Sequence, residues 1–499
     1  MKIKILFFIA LISITGLLSP PITPSIAQNN TNSIDQALQK FQNDPNLQNA
    51  SWGFYAKSVK TGKVVAQYNA RKSLTPASAL KVITTATALE ILGKDFKFET
   101  VLEYDGQIDA NGTLKGNVYI RGGGDPTLGA PRDGLGKKYE AILQQWVAAI
   151  RKAGIKKIEG YVVGDARIFE EESVPPAWLW EDLGNYYGAS SSGLSFHENQ
   201  YFAYFNSEAK TGSNTQLTKI TPTVPHFKMV NRVTAGSKGS GDNAYIFSAP
   251  YSNVAYVRGT IPPSRQGFRI KGSIANPTLF CAFQLKQELE KVGIEAQKDY
   301  STIRILQDEG KYIPRKRTFM NSISSPPLSK IVYWTNKKSI NLYAEHLLKM
   351  LGKHRFGKGT RENGVRLVEE YLKTCNVDTK GFFMEDGSGL SPMNGVTAEQ
   401  FGDLLYAYRN EKHYPTLFES LSIAGNVSDT GGLKSFLKGT SAANKVFAKS
   451  GYIQRVRAYT GYVKTSSGDE IAFALMVNNY ACTNSTMKRK MGVLIAGLL

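Results

Sequence analysis

The alternation of hydrophobic and polar positions changes period several times along the chain, and each change marks an element. Residues 34–42 repeat at helical spacing, whereas Gly53–Val59 and Val64–Tyr68 read as two strands around a Lys60-Thr61-Gly62 turn. A helix follows, with Thr75 placed as its N-cap, Pro76 at its first position, apolar Val82, Ala86 and Leu89 on one stripe, and Gly93 at its end. From about residue 100 to 317 the texture becomes short strands and many turns, including Gly122-Gly123-Gly124-Asp125-Pro126 and Gly241-Asp242-Asn243, and one helix is predicted there, from Tyr139 to Ala153. Helical spacing returns at Leu328–Thr335, Leu342–Leu351, Gly364–Leu372 and Ala398–Tyr408, the last with Thr397 and Gln400 spaced as a capping box. Strands are predicted at Val446–Ser450, Tyr459–Lys464 and, after a Ser466–Asp469 turn, Ile471–Asn478. The apolar Met491–Leu499 is far too short to span a bilayer and reads as the end of a docked helix. Strands at both ends around a helical middle predict an α+β domain whose sheet collects N- and C-terminal strands, with residues 101–317 as an insertion.

Composition narrows this picture. The 499 residues are 42% hydrophobic and 20% charged, which excludes a disordered, collagen-like or polytopic membrane protein, and the length calls for two or three domains. Residues 1–27 read as a secretory signal: Lys2 and Lys4, an apolar run from Ile5 to Leu18, and a Ser25-Ile26-Ala27 cleavage site. No cysteine lies near that site, which excludes a lipoprotein anchor. The protein is therefore expected to be exported from the cytoplasm. Cys281, Cys375 and Cys482 cannot all pair and read as buried, inert thiols, and the five histidines (His197, His226, His346, His354, His413) lack metal-binding spacing, so no metal or other cofactor is expected. With 61 Lys+Arg against 41 Asp+Glu, the formal charge of +20 biases the protein toward anionic partners.

The chemistry concentrates at Ser78-Ala79-Leu80-Lys81, in the first turn of the clearest helix. At a spacing of three the hydroxyl and the amine share a face, and the helix N-terminus adds positive potential that favours developing anionic charge. Lys81 can serve as a base only if burial or a second cation lowers its pKa. Ser207–Lys210, Ser435–Lys438 and Ser485–Lys488 share the spacing, but only Ser78 is followed by Ser339-Ile340-Asn341, the sole Ser-x-Asn, and then by Lys449-Ser450-Gly451 in a predicted strand.

Ser-x-x-Lys, Ser-x-Asn and Lys-[Ser/Thr]-Gly in this order are the three signatures of penicillin-binding proteins and serine β-lactamases. With Gly122–Leu128, Ser192-Gly193-Leu194-Ser195-Phe196 and Asp386-Gly387-Ser388-Gly389-Leu390-Ser391 around them, the chain resembles the class C low-molecular-mass penicillin-binding proteins, the D-alanyl-D-alanine carboxypeptidase/endopeptidase family. The resemblance implies a transpeptidase-like domain, an antiparallel sheet flanked by helices, built from 28–100 and 318–499 and split by two mainly β insertions, one of 101–165 with 268–317 and one of 166–267. It implies Ser78 as the acylated nucleophile, Lys81 as its base, Ser339 as the relay of the proton to the leaving amine, and Asn341 as the holder of the substrate amide. Lys449 would supply a second positive charge, Ser450 and Gly451 would line the carboxylate site, and the oxyanion hole would use the N–H groups of Ser78 and Tyr452. Expected partners are peptidoglycan stem peptides ending in D-Ala-D-Ala and β-lactams as covalent inhibitors, with no nucleic acid, at most peripheral membrane association, and an oligomeric state that the sequence leaves open.

Two departures stand out. Ser450 replaces the commoner Thr, and Ile340 replaces a more usual polar residue whose side chain should point away from Ser339 and Asn341. Arg455 and Arg457 fall at strand spacing on one face, either an anion site or a solvated surface. The Asp386–Ser391 loop either borders the cleft or is a plain turn, and Glu345 reads as a helix-surface or helix-packing residue rather than an acid catalyst. The Gly122–Gly124 run lacks the Lys-Ser/Thr and the following helix of a phosphate loop. Two rival functions remain: a serine β-lactamase, for which Glu181–Asn185 lies on the wrong side of Ser339, and a basic, non-catalytic wall-binding protein using clusters such as Arg315-Lys316-Arg317 and Lys349, Lys353, Arg355 and Lys358.

Overall fold

A computed structural model describes residues 33–499; the expected signal at 1–27 lies outside the described residues. Its centre is a six-stranded antiparallel sheet in the order Ser422–Ile423, Val446–Ile453, Val456–Lys464, Glu470–Asn478, Ser51–Ser58, Val64–Tyr68. The N-terminal hairpin is thus zipped onto the last strand of the chain, Phe54 opposite Leu475 and Ala56 opposite Phe473.

Both faces of this sheet are covered, so its central strands are apolar almost without interruption. From Glu470–Asn478, Ala472, Ala474 and Met476 face a core built with the helices Lys81–Leu92, Leu328–Lys337, Asn341–Phe356, Arg361–Thr374 and Ala398–Tyr408. Ile471, Phe473, Leu475 and Val477 face a second core with helices Ser33–Gln42 and Asn484–Ala496, which docks through Met487, Met491, Leu494 and Ile495.

Residues between the Lys81–Leu92 helix and the Leu328–Lys337 helix form four further sheets. Strands Glu99–Asp105 and Arg317–Ser324 pair antiparallel and bring the two ends of this segment together. They belong to a five-stranded sheet on which helices Tyr139–Lys152 and Pro277–Lys291 pack through Trp146, Ile150, Phe280 and Leu285. The predicted helix from Tyr139 is present, and the fifteen-residue Pro277–Lys291 helix is one that the pattern did not show. Phe280, Cys281, Ala282, Gln284 and Leu285 are all buried, so the helix is enclosed on several sides and presents no single apolar stripe. Its local start signals are nonetheless there: Asn276 accepts from the Leu279 N–H at 3.1 Å and Pro277 opens the first turn. Helix Tyr414–Ser420 was likewise not anticipated. Of the three free cysteines only Cys281 is buried; Cys375 and Cys482 are half-buried.

Candidate active site

The Ser-x-x-Lys segment is not one regular helix. Ala77–Leu80 is a 3₁₀ turn and the α-helix begins at Lys81. Thr75 does not cap it: its hydroxyl donates to Pro392 O at 3.0 Å, a tertiary bond that replaces the local one. Every residue from Lys81 to Leu89 is buried rather than one stripe, and the threonine hydroxyls are satisfied within the core, Thr85 on Lys81 O at 2.6 Å, Thr87 on Ile83 O at 2.9 Å and Thr84 on Gly387 O at 2.7 Å. Two glycines let backbone approach the nucleophile's turn. A Cβ on Gly451 would lie 2.4 Å from Pro76 O, and one on Gly389, at φ +78°, would lie 1.9 Å from Ala77 O. Between them Ala77 is held in the left-handed region at φ +46°, which costs about 1 kcal/mol and persists because the packing over-determines it.

Lys81 Nζ donates to Asn341 Oδ1 and to Ser388 O, both at 2.6 Å, and lies 3.0 Å from Ser78 Oγ. Burial pushes its pKa down to about 7, against the opposing pull of Asp386 and Glu345. As a neutral amine it has a lone pair for the Ser78 proton. Lys449 Nζ donates to Ser339 Oγ at 2.9 Å and to Ser450 O at 2.7 Å; burial first, then the charges of Lys81 and Arg457, hold it well below the ordinary lysine value. Ser339 takes φ +56°, and Ile340 points into the hydrophobic core, away from its two polar neighbours. The structure therefore gathers residues 78, 81, 339, 341 and 449 from three separate stretches of chain. Ser450, Gly451 and Tyr452 continue the Val446–Ile453 strand beside them, with Tyr452 50% exposed.

The Asp386–Ser391 loop borders this cluster. Asp386 is buried and accepts from the Gly389 and Ser391 N–H groups at 2.6 Å each, from Asn394 Nδ2 at 3.1 Å and from Trp178 Nε1 at 2.7 Å, which fixes the Ser388 carbonyl on Lys81. Glu345 packs within its helix as expected but is not neutral scenery: its Oε2 accepts from the Gly387 N–H at 3.1 Å, and burial, then the nearby Asp386 charge, lifts its carboxyl to about 7.

Sequence reasoning missed the polar anchors on the Asn341–Phe356 helix. Tyr343 donates to Glu198 Oε1 at 2.5 Å, and Arg132 holds the same carboxylate through Nε at 2.5 Å and Nη2 at 3.0 Å. His346 donates from Nδ1 to Gly124 O at 2.8 Å, and its Nε2 lies 3.0 Å from Ser195 Oγ; burial drives its pKa to about 3, so it stays neutral. Lys349 donates to Glu172 O at 2.5 Å, and Asn341 Nδ2 to Tyr187 O at 2.8 Å. The glycine run at 122–124 and Ser192–Phe196 are thus docking surfaces for the helix that carries Asn341. The available signal was a polar residue every third position, at 343, 346 and 349, along one face of the helix.

Arg455 and Arg457 do not share a strand face. Arg455 sits exposed in the turn between two strands at φ +59°, while Arg457 is buried and donates to Tyr459 Oη from Nε at 3.0 Å and Nη2 at 2.8 Å. The turn breaks the alternation on which the shared face depended. Asn185 acts inside the insertion, accepting from the Ile246 N–H at 3.1 Å. Among the described residues no group of His, Cys, Asp or Glu side chains comes together as metal ligands.

Comparison with known proteins covers nearly the whole chain. The profile of the D-Ala-D-Ala carboxypeptidase 3 (S13) family matches residues 34–497. A D-alanyl-D-alanine carboxypeptidase of Actinomadura sp. is 28% identical over 481 residues, 95% of this chain and 86% of its own length. The D-alanyl-D-alanine carboxypeptidase DacB of Haemophilus influenzae is 25% identical over 478 residues, 95% and 93% of the two chains. The fold is that of penicillin binding protein 4 of Haemophilus influenzae, at a TM-score of 0.77 and 23% identity over 93% of this chain and 99% of the other.

Proposed function

The chain belongs to the D-Ala-D-Ala carboxypeptidase 3 (S13) family, and from that premise we propose that this serine D-alanyl-D-alanine carboxypeptidase works outside the cytoplasm on peptidoglycan stem peptides, through an acyl-enzyme on Ser78. The observation that carries the assignment is Lys81, fully buried, with a pKa near 7, bonded to Asn341 and 3.0 Å from Ser78 Oγ.

The terminal carboxylate of the substrate enters beside Lys449 and Ser450 and restores the charge that burial takes from Lys449. That charge in turn favours the neutral amine on Lys81. Lys81 removes the Ser78 proton as Oγ attacks the carbonyl carbon of the penultimate D-Ala, and the N–H groups of Ser78 and Tyr452 receive the oxyanion. Ser339, hydrogen-bonded to Lys449, passes a proton to the departing nitrogen; the C–N bond breaks, D-Ala leaves, and an ester to Ser78 remains. The proton that Lys81 took passes on to Ser339, and Lys81, neutral again, takes a proton from the water that attacks the ester and gives it to Ser78 Oγ as the shortened peptide leaves. Asn341 is fixed on both sides, its oxygen on Lys81 and its amide on Tyr187 O, and holds the substrate amide.

A β-lactam fits the same path, with the difference that its leaving group stays tethered and blocks the water. Cross-linked stem peptides present the same D-Ala carbonyl, so endopeptidase cleavage uses the same residues. Digesting muropeptides with the mature protein and weighing the products by mass spectrometry separates release of free D-Ala from cleavage of cross-links, and Ser78→Ala must abolish both. A long-lived fluorescent penicillin adduct on Ser78 is expected; rapid turnover of that adduct would make the protein a β-lactamase instead.

A further inference from the structure

On the sheet face away from the Lys81–Leu92 helix, residues 435–440 and the Asn484–Ala496 helix enclose a groove of about 460 Å³. Its floor is apolar: Phe436, Leu437, Gly492, Val493 and Ala496. Gly492 lets the helix lie close, since a Cβ there would stand 3.1 Å from Leu437 Cδ2. The helix thus has two apolar faces. One, through Met487, Met491, Leu494 and Ile495, is consumed by the sheet; on the other Val493 is left 50% exposed.

The rim is cationic. Lys438, Lys488 and Arg489 border the groove, with Lys488 oriented by a bond from its Nζ to Ser435 Oγ at 3.0 Å. Residues 430–445 and 481–499, which build the whole region, contain no Asp or Glu. Two of the stray Ser-x-x-Lys matches, at 435–438 and 485–488, fall here, away from the catalytic cluster. A soluble polyanion would use the rim and leave the floor wet; an apolar peptide would use the floor and leave the rim unpaired. An anionic amphiphile satisfies both. Among the described residues no helix is long and apolar enough to cross a membrane, so the contact is peripheral.

We propose that this groove docks the enzyme on an anionic lipid bilayer, with Lys438, Lys488 and Arg489 on lipid phosphates at the rim and the acyl chain of a bound lipid received against Val493 on the floor. The site is separate from the catalytic cluster and does not depend on the assignment of Ser78.

The test is co-sedimentation of the mature protein with phosphatidylcholine vesicles, with and without phosphatidylglycerol, for wild type, Lys438→Glu/Arg489→Glu and Val493→Asp. Wild type should bind only the anionic vesicles. The double charge variant should bind at least twentyfold more weakly, at about fivefold per basic group lost near the surface. Val493→Asp should bind about tenfold more weakly to vesicles while keeping wild-type retention on a heparin column, and all variants should acylate with penicillin at the wild-type rate, which reports folding. Equal binding to neutral vesicles overturns the proposal, as does a Val493→Asp variant that binds like wild type, which would leave simple charge attraction. Concentration-dependent self-association that Val493→Asp abolishes without lipid would make a second copy of the chain the occupant and would also overturn it.

Discussion

The pH dependence of Ser78 acylation follows from the burial of Lys81. A lysine whose pKa falls from 10.5 to about 7 has its ammonium form disfavoured by roughly 5 kcal/mol, at about 1.4 kcal/mol per tenfold. At pH 7.5 most of Lys81 is free amine, whereas an ordinary lysine would be only about 0.1% amine, so burial raises the supply of base nearly a thousandfold. The rate of acylation by a fluorescent penicillin, measured by stopped flow at constant ionic strength, should climb tenfold per pH unit up to about pH 7 and then level. The same group leaves a mark on stability. Above the folded pKa of about 7 and below the unfolded 10.5, the unfolded chain holds the Lys81 proton and the folded chain does not, so stability rises with pH across that window. Lys81→Met lacks this contribution. The difference in urea stability between wild type and Lys81→Met should therefore move in favour of wild type by about 3–4 kcal/mol from pH 7 to 10. An acylation rate flat from pH 5 to 9, or stability curves that run parallel over the window, would refute the assignment of Lys81 as the buried base.

Four further outcomes are expected. Glu345→Gln removes a negative charge that raises the Lys81 pKa, so the acid limb of the acylation profile should shift to lower pH; a shift upward contradicts the placement of that carboxylate. Gly451→Ala forces a methyl toward Pro76 O and lifts the Val446–Ile453 strand off the nucleophile's turn, so acylation should fall about a hundredfold with little change in Tm. Trp178→Phe removes the indole donor to Asp386, costing about 1.5–3 kcal/mol in urea unfolding, and should also lower kcat for peptide hydrolysis by loosening Ser388 on Lys81; a loss of stability alone would show that the loop does not position the base. Lys337→Met strands the buried Asp429, which Lys337 Nζ meets at 2.5 Å, and should destabilise by about 3–5 kcal/mol, with part recovered when Asp429→Asn is added.

The basic excess divides into unlike parts. Lys81 and Lys449 are buried beside the reacting serine, where burial withholds charge from both until the substrate carboxylate restores it to Lys449 and leaves Lys81 the neutral base. Lys337 and Lys349 are buried structural donors, to Leu421 O at 2.6 Å and Glu172 O at 2.5 Å. Lys349 thus leaves the cluster that suggested a solvated wall-binding face. Lys438, Lys488 and Arg489 gather at one groove on the opposite side of the sheet.

By itself the sequence determined whatever depends on neighbours along the chain. The capping box at Thr397 and Gln400 forms as its spacing requires, Thr397 Oγ1 accepting from the Gln400 N–H at 3.0 Å and Gln400 Oε1 from the Thr397 N–H at 2.9 Å. The Ser-Lys pair meets at 3.0 Å because three residues bring both to one side of a turn, and Ile340 turns inward because its neighbours are the polar ones. What lay beyond local reading came from contacts between distant segments. Thr75 gives up its cap for Pro392, the helix at Pro277 is buried on too many sides to show a stripe, and the Arg455 turn cancels a shared face. The anchoring of Tyr343, His346 and Lys349 by residues about 145 to 220 positions away belongs to the same class. So does the lowered pKa of Lys81: three short motifs name the groups, but only enclosure by the 386–391 loop and the Val446–Ile453 strand removes the water that would keep the lysine charged.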